Sequence, residues 1–191
     1  MSFLEEDYTI PKSTGQYARL EDGDNKFIVL GSVVLGWQYW NTEKKCIRME
    51  NQPKQTPTDI GEDREGKQGK VRHFWAFPVF NLITDEVQIL EVTQKRLMGA
   101  LQDLSRDKDW GDPVLTYQIT IKKSGKGTDT TFQTLPVPFK GKIEDIKQKY
   151  EESDVEMDNY FQVKENNGEV KDSDLPNPYD DTQDIADSIK K

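Results

Sequence analysis

Apolar and polar residues alternate with period two in five stretches through the middle of this chain, and two stretches carry a helical period instead. Lys26-Phe-Ile-Val-Leu-Gly-Ser-Val-Val34 reads as a first strand, continued by Trp37-Gln-Tyr-Trp40 after an interruption at Gly36. Periodicity then disappears over residues 41–71, where Pro53, Pro57, Gly61, Gly66 and Gly69 stand among charged and polar residues; a stretch of that length predicts a functional loop or a locally disordered one. His73 to Leu82 returns as a second strand with aromatic residues on both faces, and Pro78, which has no N–H to give a ladder, predicts an edge position or a bulge. Residues 83–86 turn the chain into a third strand, Val87–Val92, closing a hairpin.

Thr93 is placed to cap a helix in which Leu97, Ala100, Leu101 and Leu104 recur on one face. Trp110-Gly-Asp-Pro113 ends it. Leu115, Tyr117, Ile119 and Ile121 then alternate with Thr116, Gln118, Thr120 and Lys122, as in a strand with one wet face. Ser124-Gly-Lys-Gly127 is a flexible hairpin loop leading to a fifth strand over Thr128–Leu135, and an amphipathic helix follows at 142–151, with Ile143, Ile146 and Tyr150 on one face. The order of strand, long loop, hairpin, helix, hairpin is that of a mainly β fold, the five-stranded OB-fold Greek-key barrel, with a helix between strands 3 and 4 and a C-terminal helix.

Charge divides the chain at about the end of that second helix. From Glu151 to Lys191 there are 13 Asp/Glu against 4 Lys/Arg, so the whole formal charge of −9 sits there, and residues 1–150 are neutral. A block of like charge with few apolar side chains cannot offset its own ordering entropy, which predicts an N-terminal arm over 1–16, a domain over 17–151 and a disordered acidic tail over 152–191. No run of 18 apolar residues predicts a membrane span, and the polar, acidic N-terminus is unlike a signal peptide, so a soluble intracellular protein is expected.

Catalytic chemistry has little footing. One cysteine, Cys46, and one histidine, His73, cannot assemble a Cys/His metal cluster, and His73 on an aromatic strand reads as structural. Gly31 and Gly36 lack the Lys and Ser/Thr of a phosphate loop. Asp107, Asp109 and Asp112 resemble a calcium loop only in part, because Gln118 stands where its bidentate Glu belongs; they read as helix-end and turn acids. No cofactor, metal or enzymatic activity is expected.

Single-strand binding needs aromatic faces for bases and cations for phosphates. Trp37, Tyr39 and Trp40 end the first strand, Lys44, Lys45 and Arg48 open the long loop, and Lys70 and Arg72 close it, with a net charge of about +2 over 41–72. Lys122, Lys123 and Lys126 surround the loop between strands 4 and 5. On the second strand, His73, Trp75, Phe77, Val79 and Asn81 are expected to face a ligand groove and Phe74, Ala76, Pro78, Phe80 and Leu82 the core. The alternative puts Trp75 and Phe77 in the core and the other set under the C-terminal helix. The expected DNA contacts are therefore Trp37, Tyr39, Trp40, Lys44, Lys45, Arg48, Lys70, Arg72, Trp75, Phe77, Lys122 and Lys126.

The string His73-Phe-Trp-Ala-Phe-Pro-Val-Phe-Asn81, Val87-Gln-Ile-Leu-Glu-Val-Thr-Gln94, Asp109-Trp-Gly-Asp-Pro113 and Gly125-Lys-Gly-Thr-Asp129 resembles the single-stranded DNA-binding proteins of tailed bacteriophages, over about residues 17–136. These OB-fold proteins are similar in role to the helix-destabilising protein of the T-even phages. The resemblance implies sequence-nonspecific coating and protection of single strands during phage DNA replication, recombination and repair, in the cytoplasm of an infected bacterium. It also implies an acidic tail that contacts replication proteins such as a polymerase, helicase or primase. The chain departs from the T-even pattern in lacking the Cys and His ligands of a zinc site, and its tail ends in Ile189-Lys-Lys191 rather than in acids. A reading of another class is an acidic adaptor or DNA mimic that uses the barrel only as a scaffold.

Overall fold

A computed structural model describes residues 16–63, 66–125, 129–158 and 160–161. Within them the strands are β1 (Gly23–Val29), β2 (Val34–Trp40), β3 (Cys46–Met49), β4 (Arg72–Asn81), β5 (Glu86–Val92), β6 (Gln118–Ser124) and β7 (Thr131–Val137). Helix α1 (Lys95–Ser105) lies between β5 and β6, and α2 (Ile143–Glu151) follows β7. Every ladder is antiparallel, in the order β3-β2-β4-β1-β6-β7, with β5 on the other edge of β4.

The protein is thus mainly β, but it has seven strands rather than five and its sheet does not close into a barrel. No ladder joins β5 to β7; helix α1 packs against β7 instead. The expected first strand is two, β1 and β2, both paired to the same edge of β4, and the long loop contains β3. Strand β6 begins at Gln118 rather than Leu115, whose φ of 54° belongs to a turn. Gln94, not Thr93, is the N-cap of α1, and it makes no side-chain capping bond.

Pro78 explains the break between β1 and β2. It lies fully buried in the middle of β4, neither at an edge nor in a bulge, paired with Ile89 of β5 on one side. On its other side the Leu30 N–H donates to the Pro78 carbonyl (2.9 Å), so the proline nitrogen faces that same edge. There β1 has ended, at Val29 opposite Val79, and β2 has not begun, at Val34 opposite Ala76, so the absent donor leaves no rung unfilled. Gly36, expected to interrupt a strand, lies inside β2 because a Cβ there would stand 2.6 Å from the Phe74 ring and 2.7 Å from Phe161.

Alternation sends the two sides of the sheet into different cores. On the inner side Phe27, Val29, Phe77, Val79, Leu90, Val92, Ile119 and Ile121 meet Leu97, Met98 and Leu101 of α1. On the outer side Ile28, Leu30 and Phe80 meet Ile146 of α2, while Phe74, Ala76 and Ile89 are covered by Val155, Met157, Tyr160 and Phe161. The folded domain therefore runs past the expected boundary at Glu151, because four apolar side chains beyond it find a buried face. Residues 155–158 with 160 and 161 form a strap across the outer side. At the other end the Ala18 N–H donates to the Ile89 carbonyl and the Ile89 N–H to that of Gln16 (both 2.8 Å), shielding the β5 edge. The rest of the expected N-terminal arm and residues 162–191 of the expected tail lie outside the described residues. Among the described residues no helix is long and apolar enough to cross a membrane.

Candidate nucleic-acid interface

The inner core stops at Trp75, but its side of the sheet continues. The β2–β4 register sets Leu35 opposite Trp75 and Trp37 opposite His73, and the β2–β3 register sets Met49 opposite Trp37 and Ile47 opposite Tyr39. None of Leu35, Trp37, Ile47, Met49 and His73 belongs to a buried core cluster. Leu35 is 55% exposed, and Trp37, His73, Trp75 and Met49 are half-buried. This is an open aromatic stripe on the inner side of the β2–β3–β4 corner.

The stripe is ordered by side-chain bonds. The His73 ring lies 5.0 Å from that of Trp37, tilted by 47°. His73 Nδ1 is 2.8 Å from the Gly36 carbonyl, which can only accept, so Nδ1 carries the proton and Nε2 accepts from the Trp75 indole N–H (3.2 Å). Tyr39, on the same side but buried, donates its hydroxyl to Asp59 (2.9 Å) and ties the long loop to the sheet; burial, then the Asp59 hydrogen bond and charge, push its phenol up from its ordinary range.

Exposed cations border the stripe. Lys44 and Lys45 lie at the β2–β3 turn, Lys70 immediately before β4, and Lys95 and Arg96 in the first turn of α1, three and four residues beyond Val92, the partner of Trp75. Lys45 reaches Glu43 at 2.9 Å in a fully solvated pair. The first turn of α1 holds no acid, an arrangement that opposes the helix dipole and that a bound anion would relieve.

No protein-family model, curated protein or solved structure matches this chain.

Of the expected contacts, the structure brings together Trp37 and Trp75, with Tyr39 beneath and Lys44, Lys45 and Lys70 at the border. Others are withdrawn. Phe77 is only 3% exposed, inside the core against α1, and its partner set on β4 is covered from outside, so both faces of that half-strand are buried. Trp40, Arg48 and Arg72 fall on the outer side by alternation. Lys122 is exposed on the outer side of β6, beside Asp24 and Gln133. Lys126 lies outside the described residues. Leu35, Lys95 and Arg96 are not among the expected residues, and His73 lies on the expected groove side though not among the expected contacts; the legible signal is the alternation that puts His73 and Trp75 on one side of β4.

Arg48 has a structural place. Its Nη2 is 2.8 Å and its Nε 3.1 Å from Glu91 Oε2, and its guanidinium stands 5.6 Å and 5.4 Å from the rings of Tyr17 and Tyr160. Tyr160 donates its hydroxyl to Glu91 (2.7 Å), Gln38 donates its amide to the other carboxylate oxygen (2.9 Å), and the Cys46 thiol points at Gln38 (3.4 Å). Burial works most strongly against the Arg48 charge, but Glu91 together with Tyr160, Cys46 and Tyr17 outweighs it and raises its pKa. Burial, then the Glu91 charge, raises the Tyr160 phenol, and burial raises that of Tyr17. Asp107 and Asp112 are turn acids: Asp107 accepts from the backbone of Asp109 and Trp110, and Asp112 from that of Val114.

Proposed function

We propose that the protein binds single-stranded DNA with little sequence preference, laying the strand across the inner side of the β2–β3–β4 corner. The observation that carries this reading is the open stripe of Leu35, Trp37, His73 and Trp75, which continues the core side of the sheet into solvent with exposed cations around it. Indole faces accept any base, each stack contributing about 1–3 kcal/mol, and lysines at the border neutralise phosphates. Lys44, Lys45, Lys70, Lys95 and Arg96 serve as the phosphate contacts. Coating of this kind suits phage DNA replication, recombination and repair, the setting the sequence resemblance implies.

We also read the sheet as an OB-type arrangement left open between its third and fifth strands. Taking β1 and β2 as halves of one bent strand and β3 as part of the long loop leaves five strands with a helix between the third and fourth, which supports that reading. Oligo-dT titration followed by tryptophan fluorescence tests the function. Quenching is expected, with log affinity falling against log salt at a slope of about −0.7 per neutralised phosphate. The absence of both quenching and salt-sensitive binding at micromolar protein would overturn it.

Five exposed acids on the outer side, Glu151, Glu152, Asp154, Glu156 and Asp158, favour a second reading in which the protein docks a basic partner such as a replication protein. Replacing these five acids by Ser separates the two: the DNA reading keeps or tightens oligo-dT binding, and the adaptor reading loses capture of its basic partner.

A further inference from the structure

We propose that His73 is the positioning residue of the stripe, holding the indoles of Trp37 and Trp75 in the orientation on which bases stack. The inference rests on the single-strand reading above. Trp37 and Trp75 are diagonal neighbours on adjacent antiparallel strands, a relation that spaces them by about 7–8 Å. The imidazole occupies the space between them and holds each in a different way, by ring contact at 5.0 Å to Trp37 and by accepting the Trp75 indole N–H at 3.2 Å.

Its own orientation is set by the third contact, Nδ1–H to the Gly36 carbonyl at 2.8 Å. The Phe74 ring and Phe161 of the strap crowd the outer side of Gly36, where a Cβ would stand. A line of contacts therefore runs from the strap through the sheet to the stripe, Phe161 to Gly36 to His73 to Trp75. Imidazole suits the place because one flat ring donates on one side, accepts on the other and still packs against an indole. A phenyl ring keeps only the packing, and asparagine only the donor to Gly36. An indole already fixed needs no further ordering when a base lands on it, which leaves more of the stacking energy for affinity.

The test uses the full chain labelled with 15N, in which the four indole N–H signals are assigned by Trp→Phe substitution. Wild type is expected to show the Trp75 indole proton protected from solvent exchange. His73→Phe should lose that protection and weaken oligo-dT binding by about three- to tenfold, the worth of one hydrogen bond, with a melting temperature lowered by only about 2–4 °C. His73→Gln, whose side-chain oxygen can replace Nε2 as acceptor, should recover protection and most of the affinity; a residue that mattered only for folding would not show this rescue. If His73→Phe fails to fold, His73→Asn against His73→Gln makes the same comparison of acceptor lost and kept. Unchanged affinity in the variants lacking the acceptor, while Trp37→Ala and Trp75→Ala weaken binding, overturns the positioning role and leaves the function standing. No binding by wild type overturns the function and the inference together.

Discussion

The two sides of the β2–β3–β4 corner reverse the usual distribution of polarity. The inner side leaves Leu35, Trp37 and Trp75 in contact with water, whereas the outer side buries Arg48 and Glu91, the latter's side chain only 1% exposed. The buried charges persist because their partners come from four separate places: Gln38 on β2, Glu91 on β5, Tyr17 before β1 and Tyr160 in the strap. Of the exposed aromatics, Trp75 has a partner for its indole N–H in His73, and both indoles stay half-exposed. One side is finished by the chain itself and the other stays open to solvent. Lys44, Lys45, Lys70, Lys95 and Arg96 lie toward the open side, and the five acids of 151–158 lie along the closed one.

The largest effect should come from breaking the closed side. Glu91→Ala leaves Arg48 buried without its carboxylate and is expected to lower stability by about 3–5 kcal/mol in chemical denaturation, with Glu91→Gln milder. Truncation after Ser153 uncovers Phe74, Ala76 and Ile89 and should lower stability by about 2–4 kcal/mol, whereas truncation after Phe161 should leave the melting temperature unchanged. Alkaline pH reaches the same cluster. The phenols of Tyr17 and Tyr160 are held above the ordinary value of 10.0, so their contribution is complete below that pH and is lost as pH rises through the folded-state values. A tyrosinate absorbance titration should find two phenols that ionise only as the protein unfolds.

On the open side the effects move from stability to affinity. Trp37→Ala should weaken oligo-dT binding by about 1–3 kcal/mol while changing stability little, since Trp37 lies outside the buried clusters. Smallest are the single cations. Replacing Lys44 or Lys70 by Ala should reduce the salt slope by about 0.7 each, and Lys122→Ala, on the far side of β6, should leave it unaltered.

Element types were legible because their signals are local. The alternation in Val87–Val92, the helical spacing of Leu97 and Leu101 and the amphipathic run before Glu151 each became the expected element. Sidedness was legible only as parity. Odd positions on β4 share a side, but whether that side is core or open changes along the strand: α1 covers Phe77 and leaves His73 uncovered. Arg48 carried the same local signature as Lys44 and Lys45, and only the pairing of β2 with β3 and the arrival of Glu91 and Tyr160 turned it inward.

The acidic end shows the same limit. The amino-acid sequence by itself determined that the negative charge lies beyond Tyr150, because charge is a property of composition. Only the tertiary structure decided that residues 151–158, 160 and 161, which hold five of those acids and no base, pack onto the folded domain; residues 162–191 carry a net charge of −4. Val155, Met157, Tyr160 and Phe161 are too few and too unevenly spaced to announce an element. They are ordered by a buried face assembled from β2, β4 and β5, and no window of local sequence contains that face.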